Sequence, residues 1–162
     1  MLADGVHFGP FEAVSIPGHA PDHVALVGAG ACFTGDAVLG EGSVFIAPDP
    51  GAMAGYLLAL ERLRAREDFR VICPGHGPVV SNAHEKIDEY LAHRRDRERS
   101  LLAALDAGRR TTAELLDAVW HDVPEQLRPA AAVTLAAHLD KLNDEGRLPA
   151  GVERPSFDRS GW

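Results

Sequence analysis

Two textures of hydrophobic and polar positions run along the chain, and they change over near residue 80. Before that point, short runs rich in Val, Ile or Phe alternate with Gly/Pro turns. Such runs predict strands at about 11–16, 23–27, 31–34, 43–46 and 70–73. Between the last two, Met53, Leu57, Leu60 and Arg64 recur at spacings of four, three and four, which predicts a helix over about 50–66. Asp49 before Pro50 supplies an N-cap followed by proline at the first helical position.

Beyond residue 80 the period is helical. A long helix is expected from about 81 to 105, with Ile87, Leu91, Leu101, Leu102 and Leu105 on its apolar face and Gly108 as its C-terminal cap. Its middle, Arg94-Arg95-Asp96-Arg97-Glu98-Arg99, interleaves both signs and reads as a solvated face with local ion pairs. Thr111-x-x-Glu114 is a capping box that opens a further helix carrying Leu115, Leu116, Val119 and Trp120. Pro124 starts a short element, and Pro129 a helix with Leu135, Leu139 and Leu142, closed by Gly146. A brief β-ribbon over 148–152 would complete a winged-helix module. The division expected is a first domain over 1–107, a winged helix over 108–155 and a loose tail over 156–162.

The chain has 162 residues and a formal net charge of −8, with acidic groups in excess on both sides of residue 80. Such a field disfavours non-specific nucleic-acid binding by the surface as a whole. No apolar run approaches the roughly 20 residues of a membrane span, and the start lacks the basic and apolar regions of a signal peptide. The expectation is a cytoplasmic protein. Cys32 and Cys73 are the only cysteines and form no Cys-x-x-Cys pair, so buried apolar roles are expected for both. No Gly-x-Gly-x-x-Gly, P-loop or Gly-x-Ser-x-Gly motif occurs, which leaves nucleotide binding and serine hydrolysis without support.

Three stretches carry candidate chemistry, each at the end of an expected strand: Ile16-Pro17-Gly18-His19-Ala20-Pro21-Asp22-His23, Phe33-Thr34-Gly35-Asp36-Ala37 and Cys73-Pro74-Gly75-His76-Gly77-Pro78. Each puts an imidazole or carboxylate in a Gly-flanked turn, and neutral imidazole and carboxylate are what Zn²⁺ and similar ions bind. Taken singly, each is more often a hydrogen-bonded surface turn than a ligand site.

Together and in this order they resemble the later motifs of the metallo-β-lactamase-fold hydrolases, in the glyoxalase II-like branch. The resemblance implies that His19 is a ligand of a first metal, Asp36 a bridging ligand and His76 a ligand of a second, with Asp22 and His23 supporting them from behind. It implies an α/β fold, the C-terminal half of an αββα sandwich followed by the winged helix. It also implies two zinc ions that acidify a bridging water, and hydrolysis of an ester, thioester or phosphodiester. The earlier His-x-His-x-Asp-His motif of that family is absent, since no two of the eight histidines are separated by a single residue. Each ion would then have two of the usual three protein ligands. Partial metal binding and little turnover by this chain alone are expected. So is an apolar sheet face that meets water unless the missing N-terminal half or a second copy covers it. The expected partners are a small ester or thioester substrate, or RNA, and no membrane. The rival readings are a winged-helix binding module and a non-catalytic partner subunit. For RNA binding the third helix offers only Arg128 and Lys141 against Asp140, Asp144 and Glu145, a weak footprint.

Overall fold

The computed structural model describes residues 4–156. Five strands come first: β1 His7–Phe8, β2 Phe11–Ser15, β3 Val24–Gly28, β4 Gly30–Gly35 and β5 Phe69–Pro74. They form one sheet in sequence order, antiparallel from β1 to β4, with β5 parallel to β4. Between β4 and β5 lies α1 Ala52–Arg64, the crossover that a parallel pair requires. Helices α2 Ala83–Asp106, α3 Thr112–Val119 and α4 Arg128–Asp144 follow, with a 3₁₀ turn Glu125–Leu127 before α4.

The chain divides into two compact units, one of residues 4–44 and 54–94, the other of 45–53 and 95–156. In the first, the register sets Val14, Ala25, Val27, Cys32 and Ile72 on one side of the sheet, and all five are buried. Burial pushes the Cys32 thiol up to about 12, so it is inert. The other side carries Phe8, Phe11, Leu26, Phe33, Val71 and Cys73. There Phe11 stacks edge-on against Phe33 at 5.7 Å, yet Phe33 remains 42% exposed, as expected of a sheet face that meets water. Cys73 is half-buried on this side. Arg64 clamps Asp88 with Nε 2.8 and 2.9 Å from its two oxygens, which ties α1 to α2.

The second unit is built on a core of Leu101, Leu105, Leu115, Leu116, Val119, Trp120, Leu135, Leu139 and Leu142. Both expected glycine caps occur. Gly108 and Gly146 take positive φ, and the residue after each donates back to the carbonyl five residues earlier, Arg109 to Ala104 at 3.1 Å and Arg147 to Leu142 at 2.8 Å. The capping box is reciprocal: Glu114 N–H donates to Thr111 Oγ1 at 3.3 Å, and Thr111 N–H to Glu114 Oε2 at 3.0 Å.

Several expectations are corrected. Residues 43–46 are not a strand, because side chains satisfy their backbone: Arg94 Nη2 donates to the Val44 carbonyl, and Ile46 N–H donates to Thr134 Oγ1 at 3.2 Å. No ribbon forms over 148–152; Ala150 and Gly151 turn, Leu148 and Val152 pack on the helical core, and Glu153 N–H bonds the Arg110 carbonyl at 2.8 Å. Helix α1 starts two residues after Pro50, with Ala52 N–H on the Asp49 carbonyl, and its buried side is Met53, Tyr56, Ala59, Leu60 and Leu63 rather than a stripe through Leu57 and Arg64. The charged run is only half solvated: Arg94 is 2% exposed, and Arg97 lies over Trp120 and bonds Asp122 at 2.8 Å. Of the tail expected over 156–162, only Ser156 falls within the described residues. Among them no helix is long and apolar enough to cross a membrane.

Candidate functional site

The topology brings the three candidate stretches to one edge of the sheet. β2 and β4 run in the same direction, β5 is parallel to β4, and β3 runs oppositely. The ends of β2, β4 and β5 and the start of β3 therefore share an edge. Residues 16–23, 35–37 and 75–78 emerge from it.

Asp36 and His76 are in direct contact, Oδ1 to Nδ1, at 2.6 Å. A carboxylate only accepts, so His76 carries its proton on Nδ1 and its Nε2 is left as the lone-pair nitrogen in the neutral ring. The His76 side chain is 78% exposed and that of Asp36 32%. Glycine at 75 is what lets them meet: a Cβ there would lie 2.5 Å from Asp36 Oδ1 and 3.1 Å from the Gly35 carbonyl carbon. The two turns are also joined through their backbones, Gly75 N–H to the Gly35 carbonyl at 2.8 Å and Gly40 N–H to the His76 carbonyl at 3.0 Å.

His19 and His23 form the other half of the edge, with ring centroids 6.0 Å apart at 73°. Ile16 N–H donates to the His23 carbonyl at 2.9 Å and closes the loop that carries His19. His23 does not face outward. Its Nε2 donates to the Thr34 carbonyl at 2.9 Å, which couples the start of β3 to the end of β4 two residues before Asp36. Asp22 is exposed at the tip of the same loop. Imidazole and carboxylate gathered at one edge, with Asp36 and His76 in direct contact, are donors that fit a zinc-class ion. Among the described residues, however, no three His, Cys, Asp or Glu side chains stand together as a cage.

Three residues without an expected role at the site anchor the segment that follows Asp36. Tyr56 Oη donates to the Ala37 carbonyl at 2.6 Å. Tyr90 Oη accepts from Leu39 N–H and donates to the Gly42 carbonyl, both at 3.0 Å. Arg94 lies 5.7 Å over the Tyr56 ring and donates to Ser43 Oγ at 3.0 Å. Burial raises the Tyr56 hydroxyl well above its ordinary range, so it is a neutral donor. Nothing in the local sequence separates these residues from ordinary members of an amphipathic helix.

Comparison with known proteins agrees with this architecture. The family "Beta-lactamase associated winged helix domain" matches residues 111–149. A beta-lactamase-like protein 2 homolog of Drosophila melanogaster is 35% identical over 141 residues, 85% of this chain and 47% of that protein. An atrochrysone carboxyl ACP thioesterase of Paecilomyces divaricatus is 36% identical over 155 residues, 88% of this chain and 48% of that one. The crystal structure of a metallo-beta-lactamase family protein from Thermus thermophilus superposes with a TM-score of 0.74 at 32% identity, over 90% of this chain and 49% of that one. The chain is a metallo-β-lactamase-fold protein with a C-terminal winged helix, similar to a beta-lactamase-like protein and to a thioesterase-named relative. It spans about half the length of the curated relatives it matches.

Proposed function

We propose that this chain supplies the C-terminal donors of a metal-dependent hydrolase acting on ester or thioester bonds, with His19, Asp36 and His76 as its metal-binding residues. The observation that carries the reading is the Asp36–His76 pair, whose hydrogen bond leaves His76 Nε2 available for ligation, at the sheet edge from which His19 also emerges. Two metal ions held there would supply Lewis acidity and lower the pKa of water. His76 and His19 contribute neutral nitrogen donors, and Asp36 contributes a carboxylate able to serve two ions. His23 fixes the Asp36 strand end through Thr34, a supporting role, and Asp22 belongs to the same loop. The thioester preference is supported by the thioesterase name of one relative.

Because a catalytic zinc ordinarily has three protein ligands, the remaining donors come from a complementary N-terminal half, which also covers the exposed Phe33 side of the sheet. RNA recognition by the winged helix is the weaker reading, since the two cations of its third helix are engaged: Arg128 with Asp117 at 2.5 Å and Lys141 with Glu98 at 2.8 Å. The test is zinc uptake and acyl-thioester hydrolysis by this chain alone and mixed with a homologous half bearing His-x-His-x-Asp-His. Activity in the mixture that is lost on Asp36→Asn is expected. A mixture that stays inert, or turnover by this chain alone, contradicts the proposal.

A further inference from the structure

The turn that bears His19 and the turn that bears Asp36 lie on different strands, and both end on one buried side chain of α1. The Pro17-Gly18 corner sits on this helix at Gly55 and Tyr56. A Cβ on Gly55 would be 3.5 Å from Pro17 Cγ, and one on Gly18 would be 2.5 Å from Tyr56 Cβ and 2.7 Å from its Cδ2. Gly18 has φ +142, so both its conformation and its closeness to Tyr56 exclude a side chain there. From the far end of the same ring, the Tyr56 hydroxyl reaches the Ala37 carbonyl at 2.6 Å, one residue after Asp36. Tyr56 is fully buried, and the Arg94 guanidinium over its ring, itself anchored on Ser43, leaves it little freedom to shift.

We infer that Tyr56 is a positioning residue whose rigid ring sets the distance between the His19 turn and the Asp36 turn, and hence between donors of the proposed metal site. The inference rests on the reading of His19 and Asp36 as metal donors. Tyr90 provides the contrast. It bonds Leu39 N–H and the Gly42 carbonyl, both on the loop that follows Asp36, and so serves as an anchor of that loop.

The test compares Tyr56→Phe, Tyr56→Leu and Tyr90→Phe in the full chain by amide hydrogen exchange without metal and by calorimetric titration with Zn²⁺. Tyr56→Phe removes the hydrogen bond to the Ala37 carbonyl, and the loosened turn is expected to raise exchange about fivefold at the Ala37 amide, which donates to the Thr34 carbonyl at 3.2 Å. Tyr56→Leu, which also withdraws the ring from Gly18, is expected to raise exchange at Ala37 and Gly18 together. Tyr90→Phe is expected to affect Leu39 and leave Gly18 unchanged. Zinc affinity falls about tenfold in Tyr56→Phe, as for other groups that hold a ligand in place, and is unchanged in Tyr90→Phe. Equal zinc loss in the two phenylalanine variants, or no loss in Tyr56→Phe, overturns the inference. If the unaltered chain takes up no zinc, the donor reading fails and the exchange data decide about Tyr56: coupled loss of protection at Gly18 and Ala37 supports a spacer, and an unmoved Gly18 in Tyr56→Leu refutes it.

Discussion

Glu98 carries a half-buried charge within the helical unit. Its carboxylate side chain is 15% exposed, with Lys141 Nζ at 2.8 Å, Arg147 Nη1 at 3.5 Å and the fully buried His138 ring at 3.8 Å. His138 foremost, then Lys141, outweigh the penalty of burial and hold the carboxyl down from 4.5 to about 2. At about 1.36 kcal/mol per pH unit, this lowering contributes at most about 3 kcal/mol of stability at neutral pH. The sign follows from the depressed value. The contribution is fully present above the unfolded-state value near 4.5 and is lost as the pH falls through 4.5 towards 2. The perturbation that isolates it is Glu98→Gln, which keeps the shape and removes the charge. Urea unfolding followed by circular dichroism, repeated from pH 7 to pH 2, gives the difference in stability between the two proteins. That difference is expected to be at most about 3 kcal/mol at pH 7 and to shrink towards zero at pH 2, where about half of the native glutamate is protonated. A difference that stays constant across this window, or a variant as stable as the parent at pH 7, refutes the assigned role.

Two further perturbations bear on the site and on the helical core. Gly75→Ala drives a methyl group to 2.5 Å from Asp36 Oδ1; it should break the Asp36–His76 hydrogen bond, seen as a changed Nδ1 shift of the His76 imidazole, at a stability cost of about 1–3 kcal/mol. Leu139→Ala empties a fully buried position of the helical core and should cost about 2–5 kcal/mol in denaturant unfolding. A loss below about 1 kcal/mol would show that this core is loosely packed.

Much of this architecture was legible in the sequence because it rests on local signals. The β-branched runs that became β2, β3, β4 and β5 were bounded by Gly or Pro, and Gly108, Gly146 and the Thr111/Glu114 box marked helix ends whose geometry the structure bears out. What escaped depends on partners distant in the chain. Residues 43–46 have the composition of a strand, but Arg94 and Thr134 satisfy their backbone in place of a neighbouring strand. Arg94 looked solvated because helical periodicity does not say which charges of a mixed run turn inward onto an aromatic ring. The buried side of α1 was misjudged for the same reason: Tyr56 and Leu63 are selected by tertiary packing, not by spacing. At the site, the Gly-flanked strand ends identified Asp36 and His76, whose contact the structure forms, whereas Tyr56 carried no local mark of its link to Gly18 and Ala37.

Donors from three separate strand ends are proposed to form one two-ion site, in which Asp36 serves both ions and couples uptake at His19 to uptake at His76. Long-range ¹H–¹⁵N spectra resolve the imidazole signals of the eight histidines, and titration with Zn²⁺ tests the claim directly. The His19 and His76 signals are expected to shift at the lowest zinc concentrations and with a common dissociation constant, and both shifts to weaken together in Asp36→Asn. Independent titration of these two rings, or tighter zinc binding at His7, His84, His93, His121 or His138, would contradict it.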